Sequence, residues 1–492
     1  MDTTLRDAHQ SLWATRMTTA MMLSVADRMD RAGFDAIDLS IGGAHVDVSV
    51  RYLKENPWER VRLLCKNIYR TPMYGTVRSK SGAAFDVVPN DIPLLWIERL
   101  IANGMRRFRI YDALADLDNI VYLLRHAKEL GAYTVGILAY GHSPVHTDEL
   151  YARKTKELIE RAAVDAIMIK DAGGLLTPDR IRTLVPAMKG VMGNLPLELH
   201  SHCLTGLAPL VYLDGVKLGV DQLHTAIAPL ANGEAQPATQ TMVRNLRDMG
   251  YAVNVDDALI DEVGEHFRKV AEQEGLPLGV PMEYDAFHFE HQVPGGMQTN
   301  FKFQLAQAGL THKLDEVLHE CARIRGELGW PIMITPFSQF VGTLAVLNVV
   351  NGERYKVIPD EVKKYALGYY GKLMAPVQPD ILDRILSNGS RSIALTPPEL
   401  EPAVPALRRK YPNISDEERL LRYSYAGSQV DDMLAAGAMR TEYHFEQPWV
   451  RLLKEISKLP RLTRVHIQKK DLIMDLHKQR AEKQTEMSGA SS

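Results

Sequence analysis

Short apolar runs recur along the first half of the chain at intervals of about 30 residues, and amphipathic helical patterns lie between them. Such runs are typical of parallel strands, because helices cover both faces of a strand in a parallel sheet. Together with the opening DTTLRD, the runs that predict strands are FDAIDLSI, MYGTVR, RFRIYDAL, YTVGILAY, VDAIMIKD, PLELHSH and VDQLHTAIA. Eight β/α units in roughly 240 residues predict a TIM (β/α)8 barrel, an α/β fold whose active site lies at the carboxyl ends of the strands.

The β/α pattern stops near the Pro/Gly-rich stretch EGLPLGVP at residues 274–281. Mostly helical sequence follows it, such as KLDEVLHECARIRGEL and SQFVGTLAVLNVV. A chain of 492 residues exceeds what one hydrophobic core usually serves, so several domains are expected. We predict a barrel domain over 1–273, a mainly α-helical domain over 274–460, and a tail over 461–492 that begins as a helix and ends disordered.

Composition and charge argue against several classes of protein. The formal net charge is −3 and no arginine-rich arm or basic stripe is present, so a nucleic-acid partner is not expected. Cys65, Cys203 and Cys321 lie far apart, which does not suggest a disulfide framework or a Cys-x-x-Cys site. Without an apolar run of about 18 residues or a signal peptide, we expect a cytoplasmic protein that is neither exported nor membrane-spanning.

Residues that carry chemistry fall where the predicted strands end. In a (β/α)8 barrel, side chains at the carboxyl ends of the strands converge on one mouth of the barrel. The candidates at these positions are Asp7, Arg78, Tyr111, Asp112, Lys170, His200, His202 and His224. An aspartate, a lysine and a His-x-His pair that are far apart in sequence predict an N/O coordination sphere for a divalent metal ion.

His200 and His202 are two residues apart on a predicted strand. Because side chains alternate between the two faces of a strand, both rings share one face and can bind one metal ion. The same spacing is compatible with a pair of hydrogen-bonded core histidines. Asp7 also has two interpretations, since an aspartate near a strand end often caps the next helix.

Lys170 follows the apolar run AIMI, so its stem is expected to be buried with its amine at the barrel mouth. An ammonium group cannot bind a cation, but burial lowers the pKa of a lysine. A neutral amine can take up carbon dioxide, and the resulting carbamate is a carboxylate-like ligand. A lysine that reaches solvent at the strand end, or one that pairs with Asp171, explains the same sequence.

Thr299 lies just after the Pro294-Gly295-Gly296 turn, where glycines let the backbone approach a ligand closely. Its hydroxyl is a candidate for relaying protons to a substrate in the barrel mouth. A helix N-cap is the alternative, but Lys302 stands where a capping box requires Glu or Gln.

Eight motifs in the same order along the chain resemble one known family, the carboxyltransferase domain or subunit of pyruvate carboxylase, oxaloacetate decarboxylase and transcarboxylase. The motifs are DTTLRDAHQSLWATRM, GGAHVDV, NPWERVRLL, IKDAGGLL, HSHCLTG, VPGGMQTN, TPFSQFVGTLAVLNVV and ERYKVIPDEVKKYALGYYGK. The resemblance implies a TIM barrel followed by an α-helical funnel domain, and the activity of a biotin-dependent carboxyltransferase.

The resemblance also implies a divalent metal at the barrel mouth, either Zn, Mn or Co. Matched residue by residue, the implied metal ligands are Asp7, carbamylated Lys170, His200 and His202. This set agrees with the ligands that the residue types alone suggest.

The substrate site implied by the resemblance surrounds the same mouth. Arg78 is expected to bind the carboxylate and keto oxygen of the substrate, and Arg6 and Gln10 are expected beside the metal. Asp47 and Phe85 complete the predicted substrate-binding set, Phe85 at about the position of a tyrosine in the family.

In the implied mechanism, carboxybiotin releases carbon dioxide in a site that excludes water, and Thr299 protonates the biotin nitrogen as it takes a proton from the methyl group of a small 2-oxo acid. The family's biotin-attachment sequence and an ATP-binding biotin carboxylase region are both absent from the sequence. We therefore expect biotin to be carried by a separate biotin carboxyl carrier protein. A biotin carboxylase subunit or a membrane decarboxylase pump is the further partner expected, and the chain is expected to form a homo-oligomer.

Some positions depart from the family pattern. Cys203 stands where many pyruvate carboxylases have aspartate, and IAPLANGEAQPATQ after His224 also differs. A different acid therefore stays an alternative, as do an aldolase-like lyase or synthase acting on an acyl-CoA and a non-catalytic scaffold subunit. Only Met1 precedes DTTLRD, so we expect an open barrel with Asp7 poorly held unless upstream residues or a partner complete the first strand.

Overall fold

A computed structural model describes residues 1–39, 42–80, 87–294, 297, 301, 305–306, 309–457, 464–469 and 472–477. Two compact units divide the chain, Met1–Tyr443 and His444–Ser492. None of the helices in the described part of the chain is long and apolar enough to cross a membrane.

A parallel sheet of seven strands, ordered β1 to β7, lies at the centre of the first unit. The strands are β1 (Ile37–Asp38), β2 (Met73–Arg78), β3 (Arg107–Tyr111), β4 (Tyr133–Ala139), β5 (Ala166–Asp171), β6 (Leu197–Ser201) and β7 (Gln222–Leu223). Each strand falls within one of the seven apolar runs that predict it. Helices cover the outer face of the sheet, which is why all six residues of β5 are buried.

The chain closes the sheet into a barrel through its first three residues. Asp2 forms parallel bridges with Ile37 of β1 and with Thr225, which follows β7. The Thr3 N–H donates to the Thr225 carbonyl over 2.8 Å, and the Asp2 N–H donates to the Ala36 carbonyl over 3.0 Å. The expected open barrel is therefore wrong, because both edges of the sheet are paired with the same short segment.

The predicted first strand is much shorter than DTTLRD. Only Asp2 has bridge pairing, and the chain turns at once into a π-helical turn, Thr4–Ala8. Asp7 lies on this turn and not at a strand end. The turn brings the Asp7 side chain back over the barrel mouth, where it is 3% exposed.

Helices of the barrel region lie before β1, between the strands and after β7. Their bounds are His9–Leu12, Thr19–Leu23, Ala26–Arg31, Ala44–Val48, Pro57–Asn67, Asp91–Ala102, Val121–Glu129, Asp148–Ala162, Pro178–Met192, Ala208–Lys217, Thr239–Asp248 and Asp257–Glu274. Several begin where a side chain caps free backbone N–H groups: Thr147 accepts from Leu150, Thr177 from Arg180, and Asp256 from Leu259.

The remainder of the first unit is helical, as the sequence predicts. Its described helices are His288–His291, Leu314–Glu327, Phe337–Asn351, Asp360–Ala366, Pro379–Asn388, Val404–Lys410, Asp416–Ser424 and Gly427–Ala435. The barrel region also contains the π-helical turn Ser49–Leu53 and the 3-10 turn Leu117–Asn119, and the helical region contains the 3-10 turn Thr311–Lys313.

Two buried apolar clusters stabilise this unit. One lies between the strands and the outer helices and also takes in Leu420 and Val430 of the last helices. The other joins inward-facing barrel residues, such as Tyr74 and Met168, to apolar residues of the helical region, such as Leu344. Barrel and helical region thus share a core, and the predicted division at 273/274 is not a boundary between compact units.

The second unit contains the helix Pro448–Ser457 and an antiparallel hairpin of β8 (Arg464–Lys469) and β9 (Leu472–His477). The sequence predicts a helix at the start of the tail, but the structure has these two strands there. Residues 478–492 lie outside the described part of the chain. The segment RVHIQK alternates polar and apolar residues, a period-two pattern that is typical of a strand. The compact units divide at residue 443, whereas the sequence predicts a boundary at 460.

Candidate metal centre and substrate site

Three potential metal ligands from two distant parts of the chain meet at the barrel mouth. The Asp7 Oδ2 atom lies 3.1 Å from His200 Nε2 and 3.8 Å from His202 Nε2. The two Nε2 atoms are 3.2 Å apart. Among the described residues, this is the group of three or more His, Cys, Asp or Glu side chains whose ligand atoms converge closely enough to hold a metal ion. One carboxylate and two imidazoles are typical ligands of a catalytic zinc-type site.

Hydrogen bonds to the other ring nitrogens leave both Nε2 atoms facing this centre. His202 Nδ1 lies 2.6 Å from the Glu234 carbonyl oxygen, to which it donates. His200 Nδ1 lies 3.2 Å from Nδ1 of His224. Metal-binding histidines usually use their second nitrogen in this way, since that hydrogen bond fixes the ring. The donor set therefore fits a divalent cation.

Burial and neighbouring charges together set the pKa values of Asp7 and His200. Burial alone would raise the pKa of Asp7, but the positive charges of Arg6 and Lys170 overcome this effect and hold it well below its usual value. Arg6 Nη1 lies 2.9 Å from Asp7 Oδ2. Burial lowers the pKa of His200 well below its ordinary value, although Asp7 opposes the change. An ionised carboxylate beside a neutral imidazole is the state that binds a metal.

Lys170 is the second-last residue of β5 and lies beside His200, with which it pairs in the register of β5 and β6. Its Nζ atom lies 3.9 Å from Asp7 Oδ2 and 5.4 Å from the centre of the Tyr111 ring. The side chain is buried rather than extended to solvent. Burial lowers the pKa of Lys170 to about 8, with Asp7 opposing and Arg6 assisting the change. A neutral amine is thus accessible near physiological pH.

The alternative in which Lys170 pairs with Asp171 does not hold. The Asp171 carboxylate instead accepts hydrogen bonds from the backbone N–H groups of Leu175 and Leu176 and from the Ser201 hydroxyl. These contacts of Asp171 organise the loop after β5, whereas Lys170 faces Asp7.

A cavity of about 220 Å³ is lined by Asp7 and His202, and His200 is buried behind them. Barrel residues on its wall include Arg6, Asp7, Gln10, Tyr111 and Lys170. The helical region covers it with residues 333–335, Ser338 and Gln339. The Oε1 atom of Gln10 is buried and has no hydrogen-bond partner in the described part of the chain. An unpaired acceptor amide on the wall is suited to contact a polar ligand.

Two other predicted substrate-site residues, Arg78 and Asp47, do not line this cavity. Arg78 ends β2 and lines a small adjacent cavity, which shares Tyr111 with the larger one. Asp47 does not line either cavity and pairs with Arg51, with its Oδ1 atom 3.2 Å from Nη1. Phe85 and Thr299 lie outside the described residues.

Sequence reasoning missed two polar residues near the site, one that contacts His224 and one that contacts His202. Glu198 lies inside the barrel, with Oε2 3.0 Å from His224 Nε2. Gln236 places its amide nitrogen 3.1 Å from His202 Nε2. Glu198 had a signal in the sequence, since it precedes His200 by two residues and so shares its strand face. Gln236 follows β7 in irregular sequence, where no periodicity marks it.

A parallel barrel with a carboxylate and two imidazoles converging at its mouth is the arrangement of a TIM-barrel enzyme. The conserved carboxylase domain family matches residues 289–449. A pyruvate carboxylase subunit of Methanocaldococcus jannaschii is 42% identical over 403 residues, which are 82% of this chain and 70% of the relative. The methylmalonyl-CoA carboxyltransferase 5S subunit of Propionibacterium freudenreichii subsp. shermanii is 33% identical over 404 residues, which are 81% and 78% of the two chains.

The fold has a solved counterpart as well. The carboxyl transferase domain of Rhizobium etli pyruvate carboxylase, solved with pyruvate and biocytin, is 25% identical with a TM-score of 0.79. The match covers 88% of this chain and 76% of that one. This chain belongs to the carboxyltransferase family that includes the archaeal pyruvate carboxylase subunit and the transcarboxylase 5S subunit, and it is a biotin-dependent carboxyltransferase.

Proposed function

We propose that this chain transfers a carboxyl group between carboxybiotin on a separate carrier protein and a small 2-oxo acid of the pyruvate or oxaloacetate type. The observation that carries the proposal is the convergence of Asp7, His200 and His202 beneath a small polar cavity. A cavity of about 220 Å³ is below the roughly 300–1,000 Å³ of pockets for drug-sized ligands, which favours a small acid over an acyl-CoA.

The proposed metal ligands are Asp7, His200, His202 and the carbamate of Lys170. A bound Zn, Mn or Co ion would supply Lewis acidity at the keto oxygen of the substrate. The protein residues hold the acid around that position: Arg78 binds the carboxylate, and Gln10 and Arg6 contact the polar atoms nearer the ligands.

Proton transfer is the proposed task of Thr299. Its hydroxyl would give its proton to the biotin nitrogen from which carbon dioxide departs, and would then take a proton from the carbon next to the carbonyl of the acid. The resulting enolate carbon bonds to carbon dioxide. The same groups acting in reverse would decarboxylate oxaloacetate and load biotin.

A separate carrier protein for biotin is part of this proposal. The relative from Methanocaldococcus jannaschii is named as one subunit of its enzyme, which supports a complex with a carrier and a biotin carboxylase subunit. A membrane decarboxylase pump is the alternative partner, and a homo-oligomer is part of the same proposal.

The test is oxaloacetate decarboxylation by the purified chain, with and without free biotin, after its metal content has been determined by elemental analysis. We expect bound metal and turnover that depends on biotin. His202→Ala should lose both, whereas Lys189→Ala, on the outer helix Pro178–Met192, should lose neither. Metal without oxaloacetate turnover would contradict the proposed acid, and turnover without biotin would contradict the carrier.

A further inference from the structure

A chain of hydrogen bonds runs from the candidate metal centre down the inside of the barrel. His200 Nδ1 lies 3.2 Å from His224 Nδ1, His224 Nε2 lies 3.0 Å from Glu198 Oε2, and the Tyr74 hydroxyl donates to Glu198 Oε1 over 2.9 Å. The four side chains are all fully or almost fully buried, the most exposed being Glu198 at 2%. No solvent therefore competes for these contacts.

The direction of each hydrogen bond follows from the carboxylate. Burial raises the pKa of Glu198 to about 7, and its ionised form accepts at both oxygens. With Glu198 ionised, the proton of neutral His224 is on Nε2 and its Nδ1 is an acceptor. His200 must then donate from Nδ1, which leaves the lone pair on its Nε2. That atom lies 3.1 Å from Asp7 Oδ2, within the candidate metal centre.

Gln236 is compatible with this arrangement. The Thr3 hydroxyl lies 2.8 Å from Gln236 Oε1 and 3.0 Å from the Thr225 carbonyl oxygen, and the Gln236 amide turns its NH₂ toward the histidines. This nitrogen is 3.1 Å from His202 Nε2 and 3.4 Å from His200 Nε2. An N–H donor that faces both Nε2 atoms fits histidine rings that carry a lone pair, and not a proton, on Nε2.

We propose that Glu198, acting through His224, is a positioning residue that fixes the tautomer and orientation of His200 for metal binding. The inference rests on the metal centre of the proposed function. His202 has no need of such a relay, because its Nδ1 donates to a backbone carbonyl, that of Glu234. The two proposed imidazole ligands thus have different supports, and only the support of His200 can be removed by changing a side chain.

The experiment measures the affinity of the full-length, metal-free protein for Zn²⁺ by competition with a chromophoric chelator. We expect His224→Leu to weaken binding by about 10- to 100-fold, the usual effect of losing a partner of a metal-binding histidine. His224→Gln should recover part of the loss, because an amide oxygen can accept from His200 Nδ1. Tyr74→Phe is the matched control: it removes a hydrogen bond to the same carboxylate without breaking the chain to His200, so its affinity should stay close to wild type.

A double-mutant cycle tests the route of the effect. If Glu198 acts through His224, Glu198→Leu should weaken Zn²⁺ binding in the wild type and add no further loss to His224→Leu. The thermal midpoint of each metal-free variant and the visible spectrum of its Co²⁺ form separate loss of folding from a changed metal site.

Three outcomes would overturn the inference. His224→Leu with wild-type affinity would do so directly, and so would a loss in Glu198→Leu that persists at full size in the His224→Leu background. Equal losses of Zn²⁺ affinity in His224→Leu and Tyr74→Phe would show that the buried polar side chains act together and not through the bond from His224 to His200. In each of these cases wild-type metal binding and carboxyl transfer would stand, whereas a wild-type protein without Zn²⁺ affinity would overturn the metal centre as well.

Discussion

Buried charge determines the chemistry of individual side chains at the barrel mouth. Desolvation disfavours the charged forms of both Asp7 and Lys170, but it prevails only at Lys170. Arg6 and Lys170 overcome burial at Asp7 and lower its pKa, which favours the charged carboxylate, whereas burial prevails over Asp7 at Lys170 and lowers its pKa, which favours the neutral amine. The site thus combines a carboxylate that stays ionised with an amine that loses its proton readily. Both states favour assembly of a metal centre.

Lys170→Ala should abolish stoichiometric metal binding, because it removes the amine that forms the proposed carbamate ligand. In wild-type protein equilibrated with ¹³C-labelled bicarbonate, we expect a carbamate resonance in the ¹³C NMR spectrum that is missing from the variant. Lys189→Ala is the control, since that lysine lies on an outer helix and pairs with Asp221. Full metal content in Lys170→Ala, measured by elemental analysis, would refute the assignment.

Thr299→Ala should retain bound metal and lose carboxyl transfer. Its hydroxyl is proposed to move a proton and not to bind the ion, and general acid–base groups contribute typically about 10²–10⁴-fold to rate. Biotin-dependent decarboxylation of oxaloacetate by the metal-loaded variant measures the loss. Wild-type turnover in this variant would exclude Thr299 as the relay.

Packing between elements explains why certain helix positions accept no side chain. Gly264 in the helix Asp257–Glu274 lies against the segment after β7, and a Cβ atom there would be 2.4 Å from the Ala228 carbonyl oxygen. Gly190 in the helix Pro178–Met192 has nothing within 4 Å of the corresponding position. The two glycines look alike in sequence but differ in their surroundings.

Gly264→Ala should lower the free energy of unfolding by about 1–3 kcal/mol, because the helix must shift away from the barrel. Gly190→Ala should leave it unchanged or raise it by about 0.5–1 kcal/mol, since alanine favours the helix and meets no obstacle. Thermal midpoints of the two variants provide the comparison. Equal midpoints would show that the helix Asp257–Glu274 has room at Gly264.

At the scale of the whole molecule, the shared core links the barrel to the helical region. Arg325 of the helix Leu314–Glu327 is 1% exposed and donates to the Glu290 and His142 carbonyl oxygens. His291 is buried in the same region and accepts a hydrogen bond from the Val293 N–H. These contacts hold the helices His288–His291 and Leu314–Glu327 against the barrel loop that contains His142.

Acid should destabilise the first unit through its buried histidines. Burial lowers the pKa of His291 to about 3, so the folded state keeps this ring neutral below the ordinary value of 6.5. The unfolded state binds the proton first, and stability is therefore lost as the pH falls from about 6.5 toward 3, on the order of 2 kcal/mol by pH 5 for such a group.

His291→Gln should reduce this dependence. Urea midpoints at about pH 7.5 and pH 5 measure the slope, and the variant should show a smaller difference between them than the wild type. An identical slope would mean that His291 is protonated in the folded protein or does not titrate on unfolding.

Local patterns were sufficient for much of the fold. Apolar runs predicted seven strands, and period-two spacing correctly predicted that His200 and His202 face the same way, because alternation is a property of the strand itself. The motifs also indicated the carboxyltransferase family. The start of the tail is a strand and not the predicted helix, because RVHIQK contains a strand pattern that its many charged neighbours obscure.

The sequence alone thus determined where seven strands lie, that His200 and His202 face the same way, and to which family the chain belongs. Only the tertiary structure decided how Met1–Thr3 closes the barrel, how Asp7 on a helical turn reaches His200, and why Asp47 lies away from the cavity. The physical reason is that periodicity acts between neighbours in sequence, whereas closure and convergence depend on backbone pairing and burial between residues about 200 positions apart. Those long-range contacts place His224 between Glu198 and His200 beneath the candidate metal centre.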